Sequence, residues 1–263
     1  VEGLSSRTVA KMADALIVHG ESARTIVVEA MGSAVEDRVV VIPHGNYLEF
    51  YPNSIGRDEA RSAIGLEGSG PAFLFLGLIR PYKGVIGMVE AFRRSAGAES
   101  RMVIAGEPID RDMRQAVEAA VSGDERILFV PGFVDDARVQ DYMNACEVVV
   151  LPYQRTLTSG VAVLAMSFGK ACIAPEAGCV TDALDERGAV LFDPREEGAL
   201  DEAFKSMEAR KEEFAAMGQH NLERVAEWGW DMVARETAAT YRRCLQGNSN
   251  VSAGSSRMRK GRV

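Results

Sequence analysis

Cysteine and histidine are scarce in this chain, which limits the metal and redox chemistry that it can carry. The sequence has three histidines and four widely separated cysteines, which are Cys146, Cys172, Cys179 and Cys244. No pair has the close spacing of a compact zinc knuckle, so we predict no structural metal site. Cys146 and Cys172 lie in apolar stretches and are expected to be buried thiols. Thiols without a disulfide framework indicate a reducing, cytoplasmic location.

An excess of positive charge and long apolar runs are also missing. The chain has 30 basic and 38 acidic residues and a net charge of −8, whereas nucleic-acid-binding domains usually carry a basic surface. We therefore expect no nucleic-acid partner. No apolar run is long enough to cross a bilayer and the N-terminus lacks a signal-peptide pattern, so we predict no transmembrane segment. The sequence starts at Val1 rather than at methionine, and we interpret the chain as part of a longer protein.

Several motifs of nucleotide and hydrolase chemistry are absent. No G-x-G-x-x-G follows a predicted strand, which argues against a dinucleotide dehydrogenase. Gly169-Lys170 is followed by Ala171 and lacks the upstream glycine of a P-loop. A serine hydrolase would need a G-x-S-x-G elbow, and the segment around Ser159 has the wrong spacing for one.

What the chain does have is a regular alternation of short apolar runs and helix-length segments. The runs are 73–76, 102–105, 127–130, 148–151, 171–174 and 188–192. Continuous apolar strands separated by helices are typical of parallel sheets covered on both faces. The pattern predicts an α/β fold with a Rossmann-like, doubly wound parallel sheet.

Two changes in this pattern suggest domain boundaries. Residues 1–38 contain one strand-like run and one helical segment without a sheet of their own, and we interpret them as the end of a preceding N-terminal domain. Residues 39–246 form the α/β domain. Residues 247–263 are rich in Ser, Gly and Arg with few apolar side chains, so we expect them to be disordered.

The first candidate site is the loop after the run 73–76. There the apolar run ends at Gly77 and is followed by Arg80 and Lys83. In open α/β sheets, ligands collect outside the carboxyl ends of the strands. Arginine binds phosphate oxygens bidentately and lysine acts as a compact charge, so the pair suits a diphosphate. The alternative is a pair of surface cations in an ordinary turn.

Two other loops follow strands and are expected at the same edge. Residues 156–161 are rich in hydroxyl groups and open into an apolar helix, whose N-terminal N–H groups and dipole would form a phosphate cradle. The alternative is an ordinary Ser or Thr N-cap. Residues 131–136 contain Gly132, Phe133 and Val134, and in isolation this segment is an ordinary strand-to-helix connection.

The order of these segments resembles the C-terminal, nucleotide-sugar-binding half of the GT-B retaining glycosyltransferases of family four. That family contains sucrose synthases and bacterial mannosyl- and glucosyltransferases. The matching segments are 13–22, 41–46, 77–84, 103–106, 131–134, 149–152, 165–169 and 174–178, followed by the helix at Trp230. Each segment is a weak match alone, but together they cover nearly the whole chain to Leu245 in the expected order.

The resemblance implies transfer of a hexose from a nucleoside-diphosphate sugar to an acceptor with retention of the anomeric configuration. Arg80 and Lys83 would be the catalytic residues, because they would clamp the leaving diphosphate. The nucleotide-sugar would be bound by Gly77, Phe133, Val134, Tyr153, Thr158, Ser159, Gly160 and Val161, with the backbone near Phe133 and Val134 holding the nucleobase. No metal or other cofactor is implied.

The resemblance also implies a partner and a location for the acceptor. The acceptor, which would be a glycan, a glycolipid or a small molecule, would bind mainly to the missing N-terminal domain. The isolated chain is therefore expected to be inactive as a transferase. A cytoplasmic enzyme is expected, with peripheral membrane contact only through the missing half.

One departure from the family pattern separates this chain from most members. The family carries two glutamates eight residues apart around the helix after residue 159, and the matching positions here are Thr156 and Leu164. We interpret the chain as a divergent branch in which Thr-Ser-Gly-Val replaces the glutamate arrangement. Two alternatives stay open, which are a non-catalytic nucleotide-binding or regulatory module and a nucleoside-diphosphate-sugar epimerase of related fold.

Overall fold

The computed structural model describes residues 4–257, with side chains for residues 7–246. It divides into two compact units. The larger unit is Asn46–Glu227, and the smaller one combines the described residues up to Gly45 with those from Trp228 onward. The candidate site residues all belong to the larger unit.

A six-stranded parallel sheet forms the centre of the larger unit. Its strands are β3 (Ala72–Leu76), β4 (Arg101–Gly106), β5 (Ile127–Pro131), β6 (Val148–Val150), β7 (Ala171–Pro175) and β8 (Ala189–Phe192). Their order across the sheet is β5-β4-β3-β6-β7-β8, and every neighbouring pair is parallel. Counted from β3, this is the order 3-2-1-4-5-6 of the Rossmann fold, which confirms the predicted fold class.

Helices connect and cover these strands. They are α3 (Arg57–Ile64), α4 (Val85–Ser95), α5 (Arg111–Val121), α6 (Val139–Ala145), α7 (Gly160–Ser167), α8 (Val180–Ala183), α9 (Ala199–Ala209) and α10 (Phe214–Ala226). Helix α4 packs against α5 and α9, whereas α3 packs against α6 and α7 against α10. These contacts separate the main helices into groups, as expected when a parallel sheet is covered on both faces.

The core of the larger unit lies between the sheet and helices α4 and α9. All five residues of β3 are buried, as the uninterrupted apolar run predicts. Phe73 of β3, Phe92 of α4 and Phe204 of α9 are fully buried, and their ring centroids are 5.3–6.1 Å apart in edge-to-face arrangements. Aromatic pairs of this geometry add to the stability that burial alone provides.

The smaller unit contains a two-stranded sheet of its own. Its elements are α1 (Leu4–Met12), β1 (Leu16–Val18), α2 (Glu21–Met31), β2 (Val39–Val41) and α11 (Trp230–Arg257). Strand β2 pairs in parallel with β1. The strand before residue 39 therefore has a partner in β2, and β2 does not belong to the larger sheet. A strand-helix-strand segment of this length can form a parallel pair by itself, which the apolar pattern did not distinguish.

The C-terminal segment also differs from the expectation. Helix α11 extends to Arg257, so the backbone is helical over much of the segment 247–263 that was expected to be disordered. No proline follows Pro194 to interrupt a helix that starts at Trp230. Residues 258–263 lie outside the described part of the chain.

We predict that the aromatic cluster is a main source of stability for the larger unit. Phe204→Ala should lower the free energy of unfolding by about 3–5 kcal/mol, because it removes a fully buried ring and leaves a cavity. Urea denaturation followed by circular dichroism measures this. The control is Phe133→Ala, because Phe133 is 76% exposed and should leave the unfolding midpoint unchanged. Equal midpoints for both variants would contradict the prediction.

Candidate functional site

The strand order creates a crevice between β3 and β6. These strands are neighbours, with Phe73 opposite Val148, but the chain leaves them in opposite directions along the sheet. β4 lies on the far side of β3, and β7 on the far side of β6. This reversal is the topological switch point at which Rossmann-like sheets bind ligands. The loop 77–84 after β3 and the loop 151–159 after β6 border it.

The two loops are joined to each other by backbone contacts. The N–H group of Gln154 donates to the carbonyl of Tyr82 over 2.9 Å. Gly84 has φ +67°, and a Cβ at this position would lie 2.2 Å from the carbonyl oxygen of Pro152. Only glycine allows both this backbone angle and this approach. The positions of the two loops relative to each other are therefore fixed by main-chain atoms.

A second backbone contact supports the loop after β3 from the side of β4. Gly77 has φ +118°, and its N–H group donates to the carbonyl of Ala105 over 3.0 Å. Gly106 has φ +155°, and a Cβ there would lie 1.9 Å from the carbonyl oxygen of Gly77. A Cβ on Gly77 would lie 3.6 Å from the Lys83 Nζ. The predicted site residue Gly77 thus lies beside one of the two predicted cations.

Arg80 and Lys83 lie at the switch point without a counter-charge. Arg80 is exposed, and neither its guanidinium nor the Lys83 ammonium forms an ion pair or hydrogen bond with any residue that the structure describes. Burial lowers the pKa of Lys83, and the charge of Arg80 lowers it further. Two cations that repel each other in a crevice are complementary to a ligand with two adjacent negative groups.

Aromatic rings surround the Lys83 ammonium instead of carboxylates. Its Nζ lies 5.3 Å from the ring centroid of Tyr153 and 5.8 Å from that of Phe75. Tyr153 was predicted to bind the nucleotide-sugar, and the structure places it in the wall of the crevice with only 4% of its surface exposed.

Helix α7 begins beside these residues. The Ser159 Oγ accepts a hydrogen bond from the Ala162 N–H group over 3.2 Å, so Ser159 is the N-cap that was considered as an alternative. The Val161 Cγ2 lies 3.9 Å from the position of a Cβ on Gly77. The cap does not exclude ligand binding, because a helix has further N–H groups in its first turn. The structure therefore brings Gly77, Lys83 and Val161 together.

The segment before α7 is held by a glycine that the sequence analysis did not identify. Gly178 has φ +56°, and a Cβ there would lie 2.6 Å from the carbonyl oxygen of Thr156. The neighbouring Cys179 N–H group donates to the carbonyl of Leu157 over 2.8 Å. Thr158 itself is exposed, and its carbonyl accepts from the Thr156 hydroxyl over 3.1 Å. In the sequence, only the glycine shortly after the apolar run 171–174 could have indicated this contact with the segment before α7.

Phe133 and Val134 lie at the same edge but farther away. They follow β5, which is separated from β3 by β4. Two strand spacings correspond to roughly 10 Å. The Gly132 N–H group donates to the carbonyl of Gly106 over 3.0 Å, so this loop continues the row of backbone contacts from Gly77. Phe133 is 76% exposed, and its ring is open to a ligand.

The two positions that depart from the family pattern lie before α7 and in its middle. Thr156 precedes the helix and Leu164 is within it, with 7% of its surface exposed. Neither supplies a carboxylate. Within the described residues no group of three or more His, Cys, Asp or Glu side chains could hold a metal ion. The prediction that the site needs no cofactor stays a prediction.

Comparison with known proteins places the chain in a family. A family model described as Glycosyl transferases group 1 matches residues 70–209, which include the whole crevice. The chain belongs to this family. No helix in the described part of this group 1 glycosyltransferase has the length and apolar character needed to cross a membrane.

Two curated relatives illustrate the range of similarity. The GDP-mannose:glycolipid 4-beta-D-mannosyltransferase of Xanthomonas campestris pv. campestris is 37% identical over 134 residues, which are 51% of this chain and 36% of the relative. The alpha-maltose-1-phosphate synthase of Mycolicibacterium smegmatis is 27% identical over 253 residues, which cover 90% of this chain and 65% of the relative. The chain thus spans less than two thirds of the length of either relative.

Solved structures confirm the fold. Sucrose-phosphate synthase from Thermosynechococcus elongatus superposes with a TM-score of 0.79 at 23% identity, over 92% of this chain and 61% of that chain. Anabaena HepE in complex with UDP and glucose gives 0.76 at 17% identity, over 90% of this chain and 67% of that chain. The larger unit of this group 1 glycosyltransferase has the fold of the Rossmann-like C-terminal domain of GT-B enzymes.

We predict that Gly84 is required for the contact between the two loops. Gly84→Ala should lower the free energy of unfolding by about 1–3 kcal/mol, because it forces a non-glycine residue into a left-handed conformation against Pro152. The matched control is Gly87→Ala in helix α4, where a Cβ would meet no atom within 4 Å. That variant should be neutral or more stable, since alanine favours helices. Thermal unfolding of both variants tests this, and equal losses would contradict it.

Proposed function

We propose that this chain is the donor-binding part of a glycosyltransferase that moves a hexose from a nucleoside-diphosphate sugar to an acceptor. The observation that carries the proposal is the position of Arg80 and Lys83, two cations without a protein counter-charge among the described residues, next to the start of α7 at the switch point. Membership of the group 1 glycosyltransferases supports the same reaction class.

In this proposal the diphosphate lies between the cations and the first turn of α7. Arg80 can bind two phosphate oxygens at once, while Lys83 supplies a compact charge from the side of Gly77. The N–H groups at the start of α7 add donors that need no rearrangement. Cleavage of the sugar–phosphate bond places additional negative charge on the diphosphate. Groups that are already oriented toward this charge stabilise the transition state more than the ground state.

The nucleobase would lie at the loop after β5. The distance of roughly 10 Å from β3 to β5 is about the length needed between a diphosphate and the base of the same nucleotide. Phe133 offers an exposed ring on which any base can stack, and the backbone of Val134 offers hydrogen-bonding groups. HepE is described in complex with UDP and glucose, and the Xanthomonas relative is named for GDP-mannose. The base and the hexose are therefore left open.

The sugar and ribose contacts would differ from those of most relatives, because Thr156 and Leu164 supply no carboxylate. We propose that hydroxyl groups of Thr156 and Thr158 and the backbone of α7 take over these contacts.

We also propose that the reaction retains the anomeric configuration. NMR of the product that this chain makes when joined to an acceptor-binding domain, from a donor of known anomeric configuration, would decide this. A product with the same configuration as the donor supports retention, and one with the opposite configuration overturns it.

The remaining parts of the proposal concern the acceptor, the cofactor and the location. The acceptor, a glycan, a glycolipid or a small molecule, would bind mainly to a preceding domain, so this chain alone would bind a donor without transferring sugar. No cofactor would be needed, and the location would be cytoplasmic.

We predict that Arg80 and Lys83 bind the diphosphate. Arg80→Ala or Lys83→Ala should weaken the binding of GDP or UDP about ten- to hundredfold, because each removes a charge-assisted hydrogen bond worth about 1.5–3 kcal/mol. Calorimetry with GDP-, UDP- and ADP-sugars and the free diphosphates measures this and identifies the base. The control is Arg94→Ala, because Arg94 pairs with Asp201 at the far end of α4 and should not affect binding.

The possible outcomes separate the proposal from its alternatives. Binding of a diphosphate that does not depend on either cation would remove the proposed clamp and favour a regulatory nucleotide-binding module. No binding of any diphosphate by the parent chain would overturn the proposal itself.

We also predict that binding weakens at alkaline pH because of Lys83. In the free chain the pKa of Lys83 is lowered by burial and by Arg80, and a bound diphosphate would raise it again. Affinity should therefore fall as the pH rises through the pKa of the free ammonium. Lys83→Arg keeps its charge throughout, so its affinity should stay level. Calorimetry from pH 7 to pH 10 tests this, and parallel curves for the two proteins would show that Lys83 does not titrate in the site.

A further inference from the structure

Tyr153 occupies an unusual position in the crevice. It follows β6 directly after Leu151-Pro152, and only 4% of its surface is exposed. Its ring lies 5.3 Å from the Lys83 Nζ, which is the closer of the two aromatic contacts of this ammonium. Both sequence neighbours of Tyr153 contact the loop after β3. The carbonyl of Pro152 lies against Gly84, and the N–H group of Gln154 donates to the carbonyl of Tyr82. The ring is therefore held in place by the loops that it joins.

The chemistry of a tyrosine ring suits this position. A carboxylate beside Lys83 would neutralise its charge and compete with a phosphate group. An aromatic face attracts an ammonium and leaves its full positive charge available to a ligand. Burial raises the pKa of Tyr153 to about 12, so the phenol stays neutral at ordinary pH.

The loop that carries Tyr153 contributes to both halves of the proposed phosphate site. The Tyr153 ring contacts the Lys83 ammonium from the loop after β3. The same loop ends at Ser159, whose Oγ caps the first turn of α7. Because Tyr153 is buried, it acts on a ligand in the crevice through Lys83 rather than by contact.

We propose that Tyr153 is a positioning residue that holds the Lys83 ammonium in the orientation needed for a diphosphate. This role rests on the proposed function. It predicts an energetic coupling between Tyr153 and Lys83 in ligand binding, which a residue that only fills space would not show.

The first experiment is a double-mutant cycle with GDP and UDP as probes. Tyr153→Leu should weaken binding about three- to tenfold in the parent chain, because it removes the aromatic face under the ammonium. In the Lys83→Ala background the same change should have no effect. Tyr153→Phe keeps the ring and should restore most of the affinity. Equal losses in both backgrounds would overturn the proposal.

A matched control shows whether loss of any buried tyrosine gives the same result. Tyr142 is also buried, with 2% of its surface exposed, and the Arg138 guanidinium lies 5.7 Å from its ring centroid. Tyr142→Leu should therefore cost a similar amount of stability and leave nucleotide affinity unchanged. Weakened binding by Tyr142→Leu equal to that of Tyr153→Leu would show a general packing effect and overturn the proposal. Tyr153→Met serves as a second non-aromatic variant if Tyr153→Leu does not fold.

The second experiment needs no ligand. The chain has six lysines, so reductive ¹³C-methylation gives a small set of NMR signals that lysine variants can assign. The Lys83 signal should be shifted upfield by the ring current of Tyr153, should stay shifted in Tyr153→Phe and should lose the shift in Tyr153→Leu or Tyr153→Met. An unshifted Lys83 signal in the parent chain would overturn the proposal. A shifted signal in a parent chain that binds neither GDP nor UDP would show that the contact exists but that the proposed function, and the role that rests on it, is wrong.

Discussion

The main-chain contact between the loops after β3 and β6 is the constraint on which the site depends. Gly84 lies against the carbonyl of Pro152, and Gln154 is hydrogen-bonded to Tyr82, so two segments far apart in sequence are held at a fixed separation. Everything proposed for the crevice uses this separation. The cations come from one loop, and the ring beside Lys83 and the start of α7 come from the other. A parallel sheet alone would place the loops at one edge but would not fix the distance between them.

The lack of a counter-charge at Arg80 and Lys83 is unfavourable for the free chain but favourable for binding an anionic ligand. Burial and mutual repulsion lower the pKa of Lys83, which means that the free chain holds this ammonium at a cost. A ligand with two negative groups would recover that cost on binding. Other cations of the larger unit do have carboxylate partners, such as Arg94 with Asp201 and Arg57 with Glu147.

Much of this architecture could be predicted from the sequence, because apolar runs and glycines report directly on backbone structure. The six strands of the large sheet and the cations after Gly77 follow from local pattern. The pairing of β2 with β1 could not be predicted, because it depends on which neighbours a short segment meets in space. The helical backbone up to Arg257 was not predicted because Ser and Gly are weak helix formers. The burial of Tyr153 was missed for the same reason. A tyrosine in a polar loop gives no sign that a lysine seventy residues earlier covers its ring.

The row of glycines at the strand ends has a consequence for how this site can diverge. Gly77, Gly84 and Gly106 have positive φ angles, and a side chain on Gly84 or Gly106 would collide with a backbone oxygen. Single substitutions at these glycines would therefore disturb the backbone that borders the proposed phosphate site. Phe133, which is 76% exposed, and Leu157, which is 46% exposed, face no such limit. We therefore expect related sequences to differ more at Phe133 and Leu157 than at the glycines. Specificity for the base or the sugar could then change while the phosphate-binding backbone stays the same.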